Sequence, residues 1–319
     1  MSLLSTLRKP LVRWLLLSIT FGFIAWGLSR QWAEVEQSAR SLDIRWQWVL
    51  AASGLVLATY AMLIQSWRML LAGWGGHLPY GTAAQIWTVA NLGRYLPGKV
   101  WSITALGVLS SRAGVSGVAA AGASVLGTLL NIGAGFGVAV IFGGPLLDAV
   151  SPGLQRLSSV AAVIFVLGVL TLPLALPVVL DRFARWRGLP LAAQHLRNRD
   201  VWSAALLNSL AWVGYGIGFA CFARGVLPLT TDLSMYIAVY AASYLVGFLA
   251  LFAPGGIGFR ELALSALLVA GGAAGQGDAA VLGATSRVWL TVLEVLPGLV
   301  GLLLMSPKDR ADLSQGTSG

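Results

Sequence analysis

The sequence predicts an all-α polytopic membrane protein, with about six full transmembrane helices and two re-entrant hairpins broken by Pro-Gly, arranged as an inverted-topology repeat. Three observations predict it. The 319 residues are 57% hydrophobic and only 10% charged, with a mean hydropathy of +0.79, whereas a soluble domain carries about 25% charged residues. Apolar runs long enough to span, roughly 17 to 25 residues each, cover 11–28, 47–71, 116–142, 158–180, 201–222 and 278–304. Two further apolar regions, 80–112 and 233–270, are each interrupted by a Pro-Gly dipeptide, and Pro97-Gly98 and Pro254-Gly255 stand 157 residues apart.

Taken in order, the chain reads as two halves and a tail. Residues 1–143 form the first membrane repeat with its hairpin at 80–112, residues 158–305 the second with its hairpin at 233–270, and 306–319 a cytoplasmic tail. Arg8, Lys9 and Arg13 precede the first run, but no small-residue cleavage site follows, so 11–28 is expected to be an uncleaved helix. Trp32 and Trp46 in the next loop suit a membrane-water interface. After each Pro-Gly the pattern repeats: a short helix, a Gly-rich bend (113–117 or 271–278), then a long apolar helix, with Ser116 and Asp278 as expected N-caps. Arg182, Arg185, Arg187, Arg197 and Arg199 make the 181–200 loop the most basic, which places it and both termini in the cytoplasm. That count requires both hairpins to leave on the side they enter. Each half then crosses an odd number of times, so the second inserts upside down relative to the first.

Charged residues inside the apolar segments point to the site. Each costs roughly 2.5–3.5 kcal/mol at a helix centre, and the sequence keeps Arg94, Lys99, Arg260, Glu261, Arg287 and Glu294 there. Arg94 and Lys99 bracket the first break, with Asn91 and Tyr95 beside them, and Arg260 and Glu261 follow the second. A half-helix that starts after a Pro-Gly break turns the positive end of its dipole toward the gap, where an anion is the natural occupant. Arg94, Lys99, Arg260 and Arg287 are the candidate phosphate-binding residues. Pro97, Gly98, Pro254 and Gly255 are candidate gating positions, and Glu261 and Glu294 candidate proton carriers. Arg287, Thr291 and Glu294 share one helical face, so an intramembrane ion pair between Arg287 and Glu294 is the competing structural reading. Arg260 and its neighbour Glu261 cannot face the same way and are not expected to pair. The glycines of 116–142 read as close helix packing, and most of the 13 tryptophans as interface or core.

Other chemistry is absent. Cys221 is the one cysteine and the two histidines, His77 and His195, share no ligand spacing, so no disulfide, metal or cofactor is expected. The net charge of +9 is spread over membrane-flanking loops, which suits anionic headgroups better than nucleic acid. There is no phosphate-binding Gly-x-x-x-x-Gly-Lys-Ser/Thr loop and no paired-carboxylate cluster, so neither ATP hydrolysis nor an enzyme activity is expected.

Leu96-Pro97-Gly98-Lys99-Val100-Trp101-Ser102 and Pro254-Gly255-Gly256-Ile257-Gly258-Phe259-Arg260-Glu261, with Arg287 in a helix that ends near Pro297-Gly298, resemble the paired motifs of the lysylphosphatidylglycerol synthase transmembrane, or flippase-like, family. The resemblance covers about residues 11–304. It implies a bacterial inner-membrane protein that moves an anionic or polyprenyl-linked glycolipid or phospholipid between leaflets, by alternating access at a cationic central cavity. Family members that carry a soluble aminoacyl-transferase domain bear it after the membrane region, and a chain ending at Gly319 is expected to transport without synthesis. Lys99-Val100-Trp101 departs from variants with a small residue and an acid at these positions. The alternative is a membrane scaffold for a synthase or glycosyltransferase, docked on the 181–200 loop; an intramembrane transferase is the third reading.

Overall fold

A computed structural model describes residues 43–95, 101–144, 197–228, 231–250 and 253–305, with scattered positions between 146 and 182. All regular structure among the described residues is helical. It comprises α1 (Trp46–Gly73), α2 (Tyr80–Asn91), a 3-10 turn (Leu92–Tyr95), α3 (Trp101–Arg112) and α4 (Gly117–Phe142), then α5 (Asn198–Val226), α6 (Leu233–Leu249), a second 3-10 turn (Pro254–Gly256), α7 (Phe259–Ala270) and α8 (Gln276–Leu304).

Four of these are long and apolar enough to cross a membrane: α1, α5, α8 and residues Ala119–Phe142 of α4. They are the expected spans at 47–71, 116–142, 201–222 and 278–304, with ends that differ by at most a few residues. The expected span at 11–28 and the 306–319 tail lie outside the described residues, as does most of 158–180 and of the 181–200 loop. The flanking helices differ in kind. α2, α3 and α7 have 12 residues each, about 18 Å at 1.5 Å per residue, well short of a hydrocarbon core of about 30 Å.

Local chemistry sets the boundaries. Ser116 caps α4, its Oγ accepting from the Ala119 amide at 3.5 Å. The matching expectation for Asp278 is corrected: Gly275 is the N-cap of α8 and Asp278 lies in its first turn. The loop is extended through Gly275, so the helix starts earlier, and Asp278 meets the positive dipole end from inside. Both Gly-rich bends turn on one left-handed glycine, Gly114 (φ 82°) after α3 and Gly272 (φ 65°) after α7.

Packing crosses between the halves. α1 runs along α5, the short helix α2 lies on α8, and α6 lies on α4. So the broken region of each half packs on the last long helix of the other. Lipid is as apolar as leucine, so such contacts depend on close approach at small residues. Gly214 and Gly218 on one side of α5 face Thr59 and Val56 of α1, and Gly216 on the other faces α6. A Cβ on Gly216 would stand 2.5 Å from the Ile237 Cα, whereas one on Gly54 of α1 would meet nothing within 4 Å. Gly216→Ala should therefore destabilise the protein by about 1–3 kcal/mol. Gly54→Ala should be neutral or mildly stabilising, and thermal melts of both variants in one detergent check the contrast.

Candidate functional site

Each Pro-Gly region delivers its charges differently. The residue before proline avoids the α conformation, and ahead of Leu96-Pro97 helix α2 tightens into the 3-10 turn Leu92–Tyr95. Pro97, Gly98 and Lys99 themselves lie outside the described residues. Asn91 ends α2 with its amide Nδ2 donating to the Trp87 carbonyl at 3.0 Å and its Oδ1 accepting from Arg94 Nη2 at 2.8 Å. Asn91 thereby holds the Arg94 guanidinium in place.

The second break is described from Ala253 onward. α6 stops at Leu249, and Pro254–Gly256 form one 3-10 turn with Gly255, Gly256 and Gly258 at φ of 58°, 69° and 87°. Three left-handed residues within four positions need glycine. The Gly258 amide donates to Glu261 Oε2 at 2.5 Å, which closes the first turn of α7 and leaves Arg260 in that turn facing back toward α6. Gly247 of α6 makes room, since a Cβ there would stand 2.8 Å from the Arg260 Cβ.

The two turns touch. Tyr95 of the first lies against Gly255 of the second, and the Arg287 guanidinium of α8 sits beside both, 5.9 Å from the Tyr95 ring centre. At this junction opens a cavity of about 410 Å³, within the usual range of ligand sites of about 300–1,000 Å³. Among its lining residues are Asn91, Arg94, Gly255, Arg260, Arg287 and Glu294. The structure thus gathers six of the twelve sequence-nominated site residues around one cavity.

Their pairing differs from the expectation. Arg287 and Glu294 share a face of α8 but go to separate partners. Glu294 Oε1 takes Arg94 Nη1 at 2.7 Å and its Oε2 accepts the Tyr95 hydroxyl at 2.5 Å. Arg287 Nε lies 3.6 Å from Glu261 Oε1. The Arg94 pair joins the first half to the second, and the Arg287 pair joins α8 to α7. Tyr95 is therefore a support for Glu294 behind the cavity wall, and Glu261 a helix cap and counter-ion for Arg287. Arg260 and Glu261 do not pair, as their adjacency in sequence requires.

Arg260 stands apart. It is 4% exposed, and its guanidinium carbon lies 5.1 Å and 5.2 Å from the ring centres of Tyr240 and Tyr244. Among the described residues no carboxylate lies within ion-pair distance of it. Cation-π contact with two desolvated rings contributes a few kcal/mol at most, which leaves a buried positive charge without a counter-ion. The site's three arginines against two carboxylates amount to one excess positive charge among the described residues.

The site residues chosen from the sequence leave out the cavity's amide wall. Asn131 Nδ2 donates to Asn208 Oδ1 at 2.9 Å, and Asn208 Nδ2 to Ser66 Oγ at 2.8 Å. Trp212 Nε1 donates to the Asn131 carbonyl at 2.8 Å, and its ring stands edge-on to Tyr244, 5.1 Å between centres. Asn208, 2% exposed, sits in the apolar run 201–222 as visibly as Asn131 sits in 116–142. The spacing of Tyr240 and Tyr244, one turn apart on α6, was the other available signal. Trp87 lines the cavity too.

The lysylphosphatidylglycerol synthase TM region matches residues 13–298 of the chain. No curated protein matches it.

Proposed function

Because the chain belongs to the lysylphosphatidylglycerol synthase TM-region family, it is a membrane protein of lipid-related function, and we propose that it moves an anionic lipid between leaflets. The observation that carries this reading is Arg260: a buried cation on the wall of a cavity, with aromatic rings around it and no described counter-ion. A phosphate in the cavity would supply the missing charge by charge-assisted hydrogen bonds, with the positive end of α7 at the same point. Acyl or prenyl chains would stay in the bilayer while the headgroup passes.

In this reading the two halves are inverted repeats, and the breaks that meet at Tyr95 and Gly255 are the moving parts. Arg94–Glu294 is the latch between them. An arriving phosphate competes with Glu294 for Arg94, and release of Glu294 frees the turns to part. Glu294 lines the cavity whereas Glu261 is held as a cap, so Glu294 is the better placed of the two to carry a proton if movement is coupled. The protein works in this scheme in a bacterial inner membrane, with both termini cytoplasmic.

The test is direct. Proteoliposomes holding the purified chain and a fluorescent phosphatidylglycerol in both leaflets are treated with membrane-impermeant dithionite. Expected is a faster second phase of bleaching than in protein-free vesicles, as inner-leaflet lipid is brought out. Bleaching that stops at the outer leaflet, with and without a proton gradient, would sink the proposal.

A further inference from the structure

Resting on that reading, the cavity also indicates which headgroup it takes: we infer that it selects a phosphodiester with a neutral, hydroxyl-rich headgroup and discriminates against one bearing ammonium groups. Three observations of the cavity lining carry this.

The first is an amide with spare valence. Asn208 is fully engaged, donating from Nδ2 to Ser66 Oγ and to the Ala204 carbonyl, each at 2.8 Å, and accepting from Asn131. Asn131 is not. Its Oδ1 and second Nδ2 hydrogen reach no partner among the described residues, and the side chain lines the cavity. Asn131 is only partly buried, and a ligand hydroxyl, donor and acceptor at once, would pair with both of these groups.

The second is the shape and polarity of the wall. Ser66, Thr128 and Asn131 line the same space as Trp67, Trp87 and Trp212. Uncharged hydrogen-bonding groups together with aromatic side chains suit a polyol or sugar, whose hydroxyls and C–H faces need one each.

The third is the charge balance. Among the described lining residues Glu294 is the one carboxylate, and both its oxygens are occupied, by Arg94 and by Tyr95. An ammonium group in the cavity would find no free acceptor of opposite charge and would share the space with Arg94, Arg260 and Arg287. A lysyl ester places two ammonium groups beside its phosphate, so its headgroup is net positive in a site that is already net positive. Like charges at close range in a partly desolvated site are the stronger discriminator. The family is named for a lysylated lipid, and in this chain the described cavity is electrostatically mismatched to it.

The test is displacement of a fluorescent phosphatidylglycerol from the full-length protein in detergent, read by anisotropy, with three unlabelled competitors. Phosphatidylglycerol should displace the probe at about one tenth of the concentration needed for phosphatidylethanol, a phosphodiester of the same charge with no headgroup hydroxyls, the equivalent of one satisfied hydrogen bond. Lysylphosphatidylglycerol should be weaker by at least the same factor. Asn131→Leu should erase the advantage over phosphatidylethanol, and Asn131→Asp, which places a carboxylate at that wall, should bring lysylphosphatidylglycerol level with or ahead of phosphatidylglycerol. Should Asn131→Leu fail to fold, the wild-type ranking alone decides. Equal displacement by phosphatidylglycerol and phosphatidylethanol, or by the lysylated lipid, overturns the inference while leaving an anionic-lipid site in place. A probe that binds Arg260→Gln as well as wild type removes the reading beneath it.

Discussion

Glu294→Ala is expected to destabilise the protein in detergent by about 2–4 kcal/mol, because it strips a partly buried charge pair of one partner. The pair's side chains are 28% and 13% exposed for Arg94 and Glu294, so water in the cavity screens the loss and keeps it below the cost of a fully enclosed pair. Two groups are orphaned together: Arg94 keeps only Asn91 and a distant 3.5 Å contact with the Tyr244 hydroxyl, and Tyr95 loses its acceptor. Glu294→Gln should cost less, since the amide oxygen still accepts from Tyr95. The decisive comparison is the cycle with Arg94→Ala. Removing both partners should be less harmful than the sum of the single changes, by about 1–2 kcal/mol of coupling. Additive effects on the thermal midpoint would mean that the pair does not hold the two halves together.

Arg260→Gln should behave in the opposite way. Substitution at Arg260 orphans no described carboxylate, so the melting temperature should hold or rise slightly as an uncompensated charge leaves the interior. Binding of the anionic headgroup should fall by about 2–3 kcal/mol, roughly 30- to 150-fold. Arg287→Gln gives the necessary contrast. It leaves Glu261 Oε1 beside an amide, a buried oxygen with no hydrogen-bond partner among the described residues even in the wild type. It should lose stability by about 1–2 kcal/mol as well as binding. A split between the two arginines, function alone for one and both properties for the other, follows from their partners. Anisotropy titrations and melts on the same preparations measure it.

Much of this was legible because membrane solvent makes sequence speak plainly. Hydrocarbon tolerates few helix lengths and few charges, so the spans at 47–71, 116–142, 201–222 and 278–304 and the residues Arg94, Arg260, Arg287 and Glu294 could be picked out by their cost alone. Ser116 announced its cap because serine ahead of a helix has a single common use. Asp278 misled for a related reason: acidic residues favour both the cap and the first turn, and only the extended conformation of Gly275 decides between them. The pairing was hidden. Helical spacing places Arg287 and Glu294 on one face, but partners are chosen across helices, and the crossing of α2 onto α8 brings Arg94 to Glu294 from 200 residues away. The amide wall was hidden for a different reason. Single Asn and Ser residues in apolar helices are cheap enough to be ordinary, and only their convergence on one cavity gives them meaning.

The most direct measurement is native mass spectrometry with lipid identification on the protein purified in mild detergent, wild type against Arg260→Gln. The account predicts one phosphate-bearing lipid retained by the wild type well above its share of the membrane, and its loss from a variant that melts at the same temperature. Bulk lipid in both, in the same proportions, would contradict it and leave Arg260 a structural cation held between two tyrosines.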